Sequence, residues 1–143
     1  FEWESVSPQA TGDARLDNNP FFHDYLQGAI ERQLLRRGYV AAGTAGLPAD
    51  LRLHYHASVS QRLDVSDTAS GCLGPDCERS VIEFDEGTIV IDAIDADSGN
   101  LTWRGIASES VQGIIDDQAT MESEIVRVVT RLFADFPSWR GSR

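Results

Sequence analysis

The sequence predicts an α+β fold: a two-layer sandwich in which a four-stranded, largely antiparallel sheet carries two helices on one face. Two observations lead to this prediction. Apolar residues recur at helical spacing in two segments, and three β-rich segments follow one another at hairpin spacing, which gives the order β-α-β-β-β-α. At 143 residues and 41% apolar composition, the chain is predicted to form a single domain over 1–137, followed by a short tail at 138–143.

The clearest element is a β-hairpin between Gly87 and Gly105, with the sequence GTIVIDAIDADSGNLTWRG. Its first half is rich in β-branched residues, which favour a pleated, half-buried surface. Turn-forming residues occupy Asp95 to Asn100, and Leu101 to Ala107 returns as the second strand. Trp103 is in phase with Leu101 and is predicted to face the core.

The segment Leu51 to Val59 alternates strictly between apolar and polar residues, which predicts a strand with one buried and one solvated face. The residues 65–79, which include both cysteines, are predicted to form a loop. A further strand is predicted over Phe1 to Val6 from a similar alternation. The predicted solvated face of the Leu51 segment carries Arg52, His54, His56 and Ser58.

The helix boundaries are indicated by capping residues. Asn19 and Pro20 open the first helix, and Gly38 ends it. Asp116 and Asp117 open the second helix, which is predicted to continue until Pro137 stops it. The apolar stripes are Phe22, Leu26, Ala29, Ile30 and Leu34 in the first helix, and Met121, Ile125, Val128, Val129, Leu132 and Phe136 in the second.

The charge composition excludes several function classes. The formal net charge is −11, and all 12 basic residues are arginine. A nucleic-acid-binding protein needs clustered positive charge, so we expect no nucleic-acid partner. The absence of lysine also excludes Schiff-base catalysis and a phosphate-binding loop of the Walker type. No cofactor is predicted.

Cys72 and Cys77 lie in the sequence SGCLGPDCERS, which is predicted to form a loop. Two thiols in a loop, with none in the predicted core, favour a disulfide and an oxidising compartment. Half of a zinc site and two free thiols are the alternatives. The chain begins at Phe1 rather than methionine, so we expect an upstream segment to have been removed or left out.

His54 and His56 are the strongest candidates for a metal site, because an H-x-H pair on a strand places both imidazoles on one face. Asp92 and Glu109 are candidate third ligands. The alternatives are a pair of solvated surface histidines and a contact with a protein partner. We predict no catalytic residue, because His23, His54 and His56 lack a serine in a nucleophile-elbow setting.

Several of these segments together resemble the DUF4136 family. They are the initial FEW, RLDNNPFF at 15–22, RRGY at 36–39, ADLRLHYHASV at 49–59, EGTIVIDAIDADSGNLTWRG at 86–105 and FADFP at 133–137. Members of that family are bacterial envelope proteins, many of them predicted lipoproteins of unassigned activity. The resemblance therefore implies a periplasmic or outer-membrane-associated location, with a possible membrane tether through an N-terminal lipid that lies outside this sequence.

We expect this chain to be a non-catalytic envelope domain that acts as a protein-interaction or assembly subunit. The predicted interaction face carries Arg52, His54, His56 and Ser58. The alternative is a periplasmic binder of a metal or a small ligand that uses His54 and His56. An enzyme such as a hydrolase is the third hypothesis.

The predicted disulfide between Cys72 and Cys77 can be tested directly. The bond closes a short loop, so its contribution to stability should be at the low end of roughly 2–4 kcal/mol. A thiol assay on the unfolded, unreduced protein should find no free cysteine. Two reactive thiols per chain would show that the prediction is wrong.

Overall fold

The structure is a computed structural model, and it describes residues 1–4, 17, 19–46, 48–67, 79–111, 114 and 117–139. Cys72 and Cys77 lie outside the described residues, so their predicted pairing stays a prediction. Within the described ranges the fold is the predicted α+β sandwich.

The sheet contains four strands in the order β1-β2-β3-β4. Their bounds are Glu2–Trp3 for β1, Leu51–Asp67 for β2, Arg79–Asp95 for β3 and Leu101–Ser110 for β4. The β2–β3 and β3–β4 pairs are antiparallel, whereas β1 pairs with β2 in parallel. The sheet is therefore mixed, and largely antiparallel as predicted.

Two strand predictions need correction. The strand that begins at Leu51 continues past Val59 to Asp67, so the predicted loop over 65–79 was wrong at both ends. The reason is the ladder with β3, which pairs Val65 with Val81 and Asp67 with Arg79 and so satisfies the backbone groups there. At the other edge, β1 spans only Glu2–Trp3 of the predicted segment, whose last two residues lie outside the described residues.

Helix α1 spans Pro20–Arg36 and has the predicted caps. The side chain of Asn19 accepts a hydrogen bond from the backbone N–H of Phe21 at 2.9 Å. Gly38 has φ of +89°, a left-handed conformation that glycine adopts with little strain. A single helical turn, Ala42–Ala45, follows before β2.

Helix α2 spans Gln118–Leu132 and begins as predicted at Asp117, whose carboxylate accepts from the backbone N–H groups of Ala119 and Thr120. The hydrogen bond from the Thr120 hydroxyl, together with these backbone bonds, lowers the pKa of Asp117 below its usual value. The predicted end at Pro137 was wrong, because the helix stops at Leu132.

The earlier end of α2 has a visible cause. A 3₁₀ turn, Phe133–Asp135, follows the helix, and the Arg37 guanidinium donates to the carbonyl oxygens of Phe133 and Phe136. These bonds satisfy carbonyl groups at the end of the helix that have no i+4 N–H partner, since Pro137 has no backbone N–H. Phe136 therefore lies in extended backbone, although its side chain is buried as predicted.

The hydrophobic core lies between one face of the sheet and both helices, which contact each other and share that face. We call this side of the sheet the helix face. Leu53, Ala57, Ile91 and Ala93 are its buried strand residues. The five predicted apolar residues of α1 are all buried, and Met121, Ile125, Val128 and Val129 are the buried residues of α2.

Trp103 packs on the helix face, where its ring centroid lies 5.0 Å from that of Phe133 and 4.8 Å from that of Phe136. Its indole also lies over Gly105, two residues along the same strand. Leu101 does not share this environment and is 50% exposed. A bulge between Ala93 and Ile94 shifts the register before Leu101, which explains why simple alternation gave the wrong orientation there.

We predict that Gly105→Ala destabilises the fold. A Cβ atom at this position would lie 2.6 Å from the Trp103 ring and would push the indole away from Phe133. Such overpacking typically costs about 1–3 kcal/mol. Urea unfolding followed by tryptophan fluorescence should show this loss. Gly43→Ala is the control, because nothing lies within 4 Å of its added Cβ; equal stability of the two variants would contradict the prediction.

Candidate functional site

The face of the sheet opposite the helices is the candidate functional site, and we call it the open face. Its members alternate with the core-facing residues of three neighbouring strands. They are Arg52, His54, His56 and Ser58 of β2, Thr88, Val90 and Asp92 of β3, and Arg104, Ile106 and Ser108 of β4. All four residues that the sequence predicted for an interaction face therefore lie on one surface.

The strand register arranges the open face in rows that cross the sheet. His54 lies opposite Asp92, which lies opposite Arg104. This charged row is held by a bidentate ion pair, in which Arg104 Nε and Nη2 donate to Asp92 Oδ1 and Oδ2 at 2.6 Å and 3.0 Å. Hydrogen bonding to Asp92 raises the pKa of the Arg104 guanidinium above its usual value.

The next row is largely apolar. His56 lies opposite Val90, and Val90 lies opposite Ile106. Ile106 is 59% exposed, the largest exposure among the large apolar residues of the described chain. Beyond it, Ser58, Thr88 and Ser108 form a row of hydroxyl groups, and the Thr88 and Ser108 oxygens lie 2.9 Å apart.

Strand β1 and the residue that follows it add two carboxylates beside this surface. Arg52 Nε donates to Glu2 Oε1 at 3.3 Å, and His54 Nδ1 lies 3.8 Å from Glu4 Oε2. Arg52, His54 and Arg104 thus each have a carboxylate close by, although the chain as a whole carries a net charge of −11. Both arginines of this surface are therefore in ion pairs.

The two candidate third ligands for a metal have different positions. Asp92 lies opposite His54, but Arg104 occupies both of its oxygens. Glu109 was a wrong candidate, because it lies on the helix face, where Arg127 and Arg131 of α2 bind its carboxylate. Among the residues that the structure describes, no three His, Cys, Asp or Glu side chains come together in a group that could hold a metal ion.

His23 lies on the helix side of the sheet, with its Nδ1 atom 2.6 Å from the hydroxyl oxygen of Tyr55. Partial burial lowers the pKa of His23 and raises that of Tyr55. Both groups are therefore neutral near pH 7, and they form a structural hydrogen bond between α1 and β2.

A cleft between the helices and the sheet opens to solvent and has a cavity volume of about 80 Å³. Its lining is mostly apolar and includes Phe22, Ala57, Val59, Ile89, Met121 and Ile125. Neither His54 nor His56 lines it, so the cleft is separate from the residues expected to bind a ligand.

Comparison with known proteins gives the class of this chain. A family model described as a domain of unknown function, DUF4136, matches residues 1–138. The chain therefore belongs to the DUF4136 family, as its sequence segments indicated. No curated protein matches it. Within the described residues, no helix is both long enough and apolar enough to span a membrane.

We predict that the two halves of the Asp92–Arg104 pair contribute unequally to stability. The Asp92 side chain is 12% exposed and that of Arg104 is 50% exposed. Arg104→Met should therefore destabilise the fold more than Asp92→Asn, because it leaves a nearly buried carboxylate without its partner. Urea unfolding of both variants measures the order.

Arg52→Met is the control for this pair, since both Arg52 and Glu2 are largely exposed and such pairs contribute little. A larger loss of stability in Asp92→Asn than in Arg104→Met would contradict the prediction.

Proposed function

We propose that this domain is a non-catalytic protein-interaction or assembly subunit of the bacterial cell envelope, and that it binds its protein partner through the open face. The observation that carries this proposal is the row of His56, Val90 and Ile106, in which Ile106 is largely exposed. The centre of a protein interface is depleted in charged residues, and its rim is polar. The apolar row lies between the charged row and the hydroxyl row, so the open face has an apolar centre with polar residues on both sides.

The charge balance of the open face also supports a protein partner. The ion pairs Arg104–Asp92 and Arg52–Glu2 neutralise the two arginines of this face. A partner therefore meets paired arginines there, whose positions can fix its orientation. A specific and stable contact of this kind buries at least about 1,000 Å² in total.

The envelope location rests on different support. The family resemblance implies export, and the predicted pairing of Cys72 with Cys77 agrees with an oxidising compartment. We propose the periplasm or the outer membrane surface as the site of action, with attachment through an N-terminal lipid as one form of the mature protein.

The second candidate function is binding of a metal or small ligand at His54 and His56. One observation favours it: the register places Asp92 directly opposite His54. The Arg104 guanidinium on both Asp92 oxygens weakens it, because a cation would have to displace that pair. Zinc that remains bound after dialysis, and is lost in His54→Ala and His56→Ala, would favour this function over the first.

The interaction proposal can be tested with two matched variants. The open-face variant carries Arg52→Glu and His56→Glu, both at exposed positions of β2. The control variant carries Arg32→Glu and Arg36→Glu, at exposed positions of α1. Cross-linking and affinity capture from a native envelope extract should recover the same discrete partner with the wild type and the control. The open-face variant should recover it at least tenfold less.

Two results would overturn the proposal. If the wild type recovers no discrete partner, the proposed interaction function is wrong. If both variants recover the partner equally, the open face is not the binding surface. Turnover of a generic ester or phosphate substrate by the purified wild type would replace the proposal with an enzymatic function.

A further inference from the structure

The outer edge of β4 is the feature that remains unexplained by the proposed function. β4 is the last strand in the sheet order, and it pairs with β3 along one side only. Among the described residues, no strand pairs with its other side. On the opposite side of the sheet, β1 has only 2 residues and pairs with Arg52 and Leu53 of β2, whereas β4 has 10 residues. A long edge strand presents a row of backbone donors and acceptors to any second strand.

β4 has little of the usual protection of an edge strand. Its sequence, LTWRGIASES, contains no proline, and its bulge lies at one end, next to Leu101, which leaves the stretch from Trp103 to Ser110 in regular pairing. Its two charged side chains are both held by the same chain: Asp92 binds Arg104, and Arg127 and Arg131 bind Glu109. Both side chains therefore have fixed positions along the edge.

The sequence of β4 is also complementary to itself in one antiparallel register. When Ile106 lies opposite Ile106 of a second copy, Arg104 lies opposite Ser108 and Gly105 lies opposite Ala107. This register covers the exposed Ile106 side chain and opposes no like charges. A register centred on Arg104 would instead place two guanidinium groups opposite each other.

We propose that the β4 edges of two copies of this chain pair antiparallel, centred on Ile106, to form a two-fold symmetric dimer with one continuous sheet. The helices of both copies then lie on the same side, and the two open faces join into one surface. This dimer shares Ile106 with the proposed interaction surface, but it is formed by a strand edge and by a second copy of this chain, so the two proposals are tested separately.

The first test measures mass by sedimentation over a concentration series. The wild type should form a dimer. Ser108→Arg places a second cation opposite Arg104 and should weaken the dimer at least tenfold, whereas Ser108→Glu should leave it equal or tighter. Ser60→Arg is the matched control, because it makes the same change at an exposed position of β2, away from the edge.

The second test measures the register. In a background with Cys72→Ser and Cys77→Ser, Ile106→Cys should form a disulfide-linked dimer on oxidation, since directly opposed residues have Cβ atoms about 4.5–5.5 Å apart. Ser108→Cys should not, because its own copy lies four positions away along the strand. A monomer at all concentrations, a dimer unaffected by Ser108→Arg, or preferred cross-linking at Ser108→Cys would each overturn the proposal.

These results are separable from those of the partner test. Ser108→Arg tests the dimer, and the Arg52→Glu, His56→Glu variant tests the open face from a strand that does not form the edge. A dimer with no envelope partner would leave this inference standing and remove the proposed function. A monomer that captures a partner through the open face would do the reverse.

Discussion

The pairing of β2 with β3 is the constraint on which the other features of the structure depend. The ladder runs from Leu51 opposite Asp95 to Asp67 opposite Arg79. Because side chains alternate along a strand, a slip of one residue would send Leu53 to solvent and His54 into the core. The register with β4 continues this order, so the same ladder determines which residues the helices bury and which form the open face.

Much of the fold could be predicted from local patterns. The alternation after Leu51 gave the correct faces, and Asn19 and Asp117 cap the two helices as expected. The errors arose where distant contacts override local signals. The extension of β2 to Asp67 depends on its partner strand, and the end of α2 depends on Arg37, which is distant in sequence. A single-sequence pattern contains neither contact.

The candidate site was predictable only in part, for a related reason. Alternation within β2 is enough to group Arg52 with the two histidines. It does not show which residues of β3 and β4 lie beside them, because that depends on strand register. The ion pair between Asp92 and Arg104, the exposure of Ile106 and the placement of Glu109 on the helix face all follow from the register. Together they give the open face paired charges, hydroxyl groups and an exposed aliphatic side chain.

The parallel pairing of β1 with β2 has a consequence for the order of folding. Glu2 pairs with Arg52, so the whole of α1 lies in the connection between these strands. The β3–β4 hairpin closes only a short turn, which costs far less chain entropy than a connection of this length. We therefore expect the hairpin to form early and β1 to join the sheet after α1 has packed against it. A slow last phase of refolding would report the addition of this edge.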